Sequence, residues 1–387
     1  MKPTLSIILA GMLALGLVIA GALLLAQPAG EPEAQLIAAV PAAGGFARVE
    51  GPPGLVFPED YGPHPAYQTE WWYYTGNLDT ADGRHFGYQL TFFRRALRPP
   101  EEGGERLSDW AASQVYMGHL ALTDVAGREH YAFERFSRGA VGLAGAASPP
   151  YRVWLEDWEV GQTGDDSFGL RAEADGVALE LTLVDVKGPV LQGEEGYSRK
   201  GVDPGNASAY YSQTRLETSG EVRVGGETFQ VSGWSWKDHE YSTSALSEGQ
   251  VGWDWFSIQL DDGSEFMLYQ LRHGDGSPDP YAHGVFVKAD GSAAALRLAD
   301  GDYEIEVLGT WRSPDTGAVY PSHWRVTIPG EEVVVEIEPW LAAQELNVSY
   351  AYWEGAVRVE GQCGGAPVTG DGYVELTGYA ASMEGQF

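Results

Sequence analysis

From Tyr67 onward the chain alternates apolar and polar positions in short runs broken by Gly, Asp and Asn. "RHFGYQLTFFRR", "QVYMGHLALTD", "GVALELTLVD", "GETFQVSGWSW" and "GWDWFSIQL" carry aromatic or β-branched residues at a period of two, the pattern of strands with one buried face. "SEFMLYQLR", "YEIEVLGTW", "EVVVEIEPW" and "GYVELTGY" continue it toward the C-terminus. Asp82-Gly83, Asp262-Gly263 and Asp290-Gly291 fall between such runs, where glycine's freedom at positive φ suits a tight hairpin. No long helical period interrupts them. Short, regularly spaced strands predict an all-β fold of barrel or sandwich type, and 387 residues leave room for two such units.

Two halves are also suggested by self-similarity. "EWWYYTGNLDTADGRHFGYQLTFFR" and "WDWFSIQLDDGSEFMLYQLR" both read as an aromatic strand, an Asp-Gly turn, a second strand and a terminal Arg, a cue to duplicated units. The polar stretch "STSALSEGQ" from Ser242 to Gln250 separates them, which predicts domains over 56–243 and 244–387. Residues 28–55, rich in Pro, Ala, Gly and Glu, read as a flexible linker. Ahead of it, Lys2 precedes an uncharged apolar run from Leu5 to Ala26. That run exceeds the apolar centre of an export signal, about 7–15 residues, and matches the roughly 20 of a spanning helix. Residues 1–27 are therefore expected to be a signal peptide or an N-terminal membrane anchor, and the protein to be extracytoplasmic: secreted, periplasmic or membrane-anchored. The single cysteine, Cys363, allows no internal disulfide and lies too far along to anchor a lipid.

Composition narrows the partners. With 44% hydrophobic and 12% aromatic residues the body is not a disordered chain. Its 24 basic and 55 acidic residues leave a net charge of −31, which argues against nucleic acid and against anionic headgroups. An uncharged, apolar small molecule remains compatible, and no residue pattern points to a protein partner.

The stretch "GWSWKDHEYSTS" concentrates the chemistry. Strand alternation places Trp234, Trp236, Asp238 and Glu240 on one face, and Ser235, Lys237 and His239 on the other. A carboxyl at the end of a tryptophan face, with a second carboxyl two residues away, is expected to hold its proton to unusually high pH. Such an acid can protonate an isolated double bond, and indole and phenol faces can stabilise the resulting cation until water captures it. Asp238, His239 and Glu240 are the catalytic candidates; the competing reading gives Asp238 and His239 structural hydrogen bonds between the barrels. Trp71, Trp72, Tyr74, Trp236, Trp253 and Trp255 are the aromatic candidates for a ligand wall, against ordinary core packing. His119 is expected to face the interior of the first barrel, either as ligand contact or as a satisfied core histidine. Asp254 is expected to pair with Arg94, Arg95 or Arg272. Ser235 has Lys237 where a nucleophile elbow needs glycine. No pattern of metal ligands, phosphate loop or cofactor fingerprint is present, so neither metal nor cofactor is expected.

"HPAYQTEWWYYTGNL", "YMGHLALTD", "GWSWKDHEYS", "GWDWFSIQLDDG", "YWEGAVRVEG" and "GDGYVELTGY" occur in order from about Gly51 to the C-terminus. In these motifs the chain resembles the CrtC/AttH family, which includes carotenoid 1,2-hydratases and secreted lipocalin-like proteins. The resemblance implies two tandem lipocalin-like β-barrels, the second ending in "GYVELTGY", and an apolar isoprenoid or lipid ligand. Asp238 matches the aspartate of the W-x-D-H motif of the family's hydratases, here Trp236 to His239, which implies acid-initiated hydration without a cofactor. A non-enzymatic lipid carrier linked to an envelope transport system is the alternative. A secreted hydrolase would need a nucleophile that the sequence does not display.

Overall fold

The computed structural model describes residues 44–100, 112–243 and 246–384. The expected signal or anchor at 1–27 lies outside the described residues, as does the linker before residue 44. The tether expected up to residue 55 ends earlier. Val49 is buried against Ala207, Ala209 and Tyr241, and the Ala47 amide bonds to the Ala66 carbonyl at 2.9 Å.

The first sheet opens with four long strands, β1 (Thr69–Asp79), β2 (His85–Ala96), β3 (Gln114–Asp124) and β4 (Glu129–Arg138). Shorter ones follow: β5 (Ala144–Ala147), β6 (Arg152–Leu155), β7 (Trp158–Gly164), β8 (Ser167–Ala174) and β9 (Val177–Asp185). It closes with β10 (Pro189–Leu191), β11 (Tyr197–Arg199), β12 (Ala207–Val224) and β13 (Glu227–Ser242). The second sheet holds β14 (Gln250–Leu260), β15 (Glu265–His273), β16 (His283–Val287), β17 (Ala293–Arg297) and β18 (Glu304–Arg312). Its remaining strands are β19 (Val319–Ile328), β20 (Val333–Pro339), β21 (Glu345–Asn347), β22 (Ala351–Cys363) and β23 (Ala366–Leu376). No α-helix occurs among the described residues, so the fold is all-β.

The expected hairpins form. Gly83, Gly263 and Gly291 each take φ 85°, and their amides return to Thr80, Leu260 and Lys288. In the first sheet the order is β4-β3-β2-β1-β13-β12-β9-β8-β7-β6-β5, and in the second β17-β16-β15-β14-β23-β22-β20-β19-β18. The two self-similar stretches thus hold one topological place: a four-strand meander whose first strand pairs with the last strand of its sheet. The first sheet curls until β6 meets β2 and β3. Gly118 in β3 allows that approach, since a Cβ there would lie 3.2 Å from the Trp158 ring. The result is one nearly closed barrel, packed solid with Trp72, Tyr74, Phe92, Trp158 and many aliphatic side chains. The second sheet is a half-barrel. A 3-10 turn at Leu298–Asp300, rather than a hairpin, links its end strands β17 and β18.

A third apolar cluster lies between the sheets, where Tyr73, Tyr210 and Trp236 meet Trp255, Ala356 and Tyr373. Gly87 in β2 permits the contact, because a Cβ there would stand 2.4 Å from that of Ala356 in β22. Polar ties flank the cluster: Lys187 and Arg215 both pair with buried Glu265, and the Gln259 amide donates to the Thr214 and Ser235 carbonyls at 2.7 and 3.0 Å.

Candidate active site

Beside that cluster the sheets part to leave a cleft with about 980 Å³ of free space, some of it open to solvent. The first sheet contributes Trp71, Tyr73, Phe93, Tyr210, Asp238 and Glu240. The second contributes Trp253, Trp255, Tyr269, Glu354 and Glu375, with Tyr350 from the loop before β22. This space lies between the sheets, whereas an up-and-down lipocalin holds its ligand inside one barrel.

Alternation along β13 decides what faces this cleft. Asp238 and Glu240 point into it. Asp238 accepts three hydrogen bonds: Ser212 Oγ at 2.5 Å and Trp236 Nε1 at 2.7 Å on Oδ1, and Tyr210 OH at 2.5 Å on Oδ2. Burial pushes its carboxyl up to about 7, and the Glu240 charge adds to the rise, against the lowering pull of the three donors. Trp236 does not line the cleft; it fixes Asp238 from behind and meets Trp255 edge-on at 6.3 Å. Trp255 in turn donates to Tyr210 OH at 3.1 Å, so both sheets orient the acid. Glu240 Oε1 lies 2.9 Å from the Lys200 ammonium, which also sits 4.0 Å from the Tyr269 ring centre.

The second sheet supplies two carboxyls that the sequence did not single out. Glu375 accepts from Trp253 Nε1 at 3.0 Å; burial, with the Asp238 and Glu240 charges, raises it to about 7. Glu354 is fully buried, and neither of its oxygens receives a directed hydrogen bond. Burial and the Glu375 charge hold it well above the usual carboxylate range; the nearby Tyr73 and Tyr352 hydroxyls only partly offset them.

His239 departs from the expected catalytic group. It faces the first barrel, stacks on Trp72, and binds Glu70 Oε1 at 2.9 Å and Tyr211 OH at 3.0 Å. Burial lowers it to about 4, so it is neutral near pH 7. Glu70 is itself bonded by Arg94 Nε at 2.8 Å and by His64. Burial alone would raise the Glu70 carboxyl, but Arg94, His239 and His64 together hold it well below the ordinary range. Among the described residues, His64, Glu70 and His239 place their ligand atoms within 4.8 Å of one another and could hold a metal ion, a grouping no linear motif announced. One nitrogen of each histidine meets Glu70 Oε1 while Arg94 holds the other oxygen, Oε2, and this hydrogen-bond network accounts for the cluster.

Trp72 and Tyr74, expected at the ligand wall, are core residues of the first barrel: Trp72 donates to the Tyr61 carbonyl at 3.3 Å, and the Tyr74 and Tyr151 hydroxyls meet at 2.7 Å. Trp71, on the opposite face of β1, is the one that lines the cleft, as do Trp253 and Trp255. His119 does not face the barrel interior either. β3 turns Leu120 and Leu122 inward and sends His119 to the second sheet, where it meets Tyr352 OH at 2.7 Å and Glu134 at 3.0 Å. Asp254 pairs with Arg272 Nε at 2.7 Å. Ser235 lies buried in the first sheet against the Tyr88 and Thr218 hydroxyls, both at 2.7 Å, with no base among these partners to activate it.

The comparisons agree with this architecture. A crystal structure of an AttH from Nitrosomonas europaea is 36% identical, superposes with a TM-score of 0.76, and covers 86% of this chain and 100% of its own. Kievitone hydratase from Nectria haematococca shares the fold at 14% identity and a TM-score of 0.64, over 87% of this chain and 96% of its own. CghA with Sch210972 does so at 12% identity and a TM-score of 0.50, over 88% and 96%. No curated protein matches the chain. The AttH-like family model matches residues 48–379, and the chain belongs to that family.

Proposed function

We propose that this protein binds an apolar isoprenoid or lipid between its two sheets and hydrates a carbon–carbon double bond in it without a cofactor. Asp238 is the proton donor. The observation that carries this reading is a buried carboxyl with a pKa near 7, clamped by three donors at the wall of an aromatic cleft. A general acid works best when its pKa lies near the working pH. Protonation of one alkene carbon breaks the π bond and leaves a carbocation at the other. The surrounding rings stabilise that cation, water adds to it, and the oxonium proton passes to solvent or a carboxylate. The shared fold with kievitone hydratase is consistent with this chemistry, but the site residues, not the fold, support it.

The apolar N-terminal run motivates export, either cleaved or anchored, which would bring the cleft to an envelope or external ligand. The second reading, a lipid carrier, rests on the same aromatic cleft and needs no acid. Incubation with acyclic terpene alkenes in heavy-oxygen water separates the two. Labelled alcohol supports the hydratase. Lipid that is recovered by extraction and unchanged on incubation supports the carrier.

A further inference from the structure

The cleft already contains one ammonium site. Lys200 Nζ lies over the Tyr269 and Tyr210 rings, at 4.0 and 5.5 Å from their centres, and 2.9 Å from Glu240. Cation, aromatic faces and carboxylate together make up the cage that proteins use for organic ammonium groups.

The rest of the cleft has the same parts without the cation. Among the described lining residues, Asp238, Glu240, Glu354 and Glu375 supply four carboxyls, against the single ammonium of Lys200. Glu354 is 0% exposed and neither of its oxygens receives a well-directed hydrogen bond, although the Tyr73 and Tyr352 hydroxyls lie nearby. Buried polar atoms are seldom left bare, because each forgoes its hydration without replacement. The rings of Trp71, Tyr73, Trp253 and Tyr350 line the same space. A neutral apolar guest would leave the Glu354 oxygens unmet; a guest carrying a positive charge would favour release of the Glu354 proton to solvent, pair with the carboxylate so formed and gain the ring faces as well.

We propose that the cleft binds organic cations, ammonium groups on an apolar body, with Glu354 as the charge partner and the aromatic side chains as the cage. This goes beyond hydration: a permanent charge on the guest requires no turnover and no proton from Asp238.

Calorimetric titration of the purified protein with benzyltrimethylammonium and with neopentylbenzene, its uncharged carbon isostere, tests the proposal. The cation is expected to bind about tenfold tighter or better, and Glu354→Gln to remove that preference while the isostere binds as before. Circular dichroism establishes that the variant is folded, and Glu354→Met serves as a second variant if it is not. Equal affinity for the two probes, no binding of the cation, or a preference that persists in a folded Glu354→Gln protein would overturn it. Each result is independent of the labelling assay, so a protein that hydrates alkenes yet ignores the cation keeps the hydratase reading and loses this one.

Discussion

Asp238 and His239 are consecutive in β13 and face opposite sides of the sheet, Asp238 into the cleft and His239 onto Glu70 in the first barrel. One residue faces the proposed chemistry and the other belongs to the core. Substitutions at the two positions should therefore have different consequences.

The Asp238 carboxyl holds its proton to about pH 7 in the folded protein and only to about 4 in an unfolded chain. Between those values the folded state carries more protons, so stability falls as pH rises through this window. Glu375, also raised to about 7, acts in the same direction. Glu354, held well above its usual range, adds a third contribution, and Asp238→Asn removes one of the three. It is expected to flatten the profile and to gain about 1–3 kcal/mol over the native protein at pH 8 relative to pH 4. Urea unfolding at both pH values reads this, and parallel profiles for the two proteins would contradict it. Hydration, which needs the acid form, should decline above about pH 7.

Glu70 neutralises Arg94 in a site closed to solvent. Glu70→Gln leaves a buried guanidinium without its charge partner and should cost about 3–5 kcal/mol. His239→Ala removes two hydrogen bonds and a stacked ring and should cost about 2–4 kcal/mol. Thermal unfolding reads both losses. If His239→Ala proved as stable as the native protein yet inert toward alkenes, a catalytic His239 would have to be restored.

Trp71 and Trp72 form a second pair of neighbours divided between cleft and core. Trp72→Ala opens a hole in a filled barrel and should destabilise by about 3–5 kcal/mol. Trp71→Ala strips the cleft wall instead, weakening ligand binding by about tenfold with little loss in melting temperature. Differential scanning calorimetry beside a binding titration distinguishes them, and equal destabilisation would place Trp71 in the core.

Alternation was readable along many of the long strands, though β4, β12 and β19 were not among those it picked out. "QVYMGHLALTD" coincides with β3, and the three Asp-Gly pairs mark real hairpins. The two faces of β13 also followed from spacing alone. What spacing cannot supply is which face meets the other sheet. Trp72 and Tyr74 looked like a ligand wall because both faces of β1 are aromatic, and only the curl of the first sheet assigned them to the core. His119 was misplaced for the same reason. Glu354 and Glu375 were not singled out by any motif, although Tyr352 and Trp353 beside Glu354 were a hint of burial. The His64–Glu70–His239 cluster needs the register that sets Trp72 opposite His239, a pairing between residues far apart in the chain. Strands β5 to β8 are short, and too little of their pattern protrudes to be read.

The central claim is that Asp238 delivers the proton that starts hydration. The most direct measurement is incorporation of heavy oxygen from solvent water into an acyclic terpene alkene by the native protein and by Asp238→Asn, side by side at pH 6. The account predicts labelled alcohol from the native protein and a loss of about a hundredfold or more in the variant. Equal label from both proteins, with the variant folded, would contradict it.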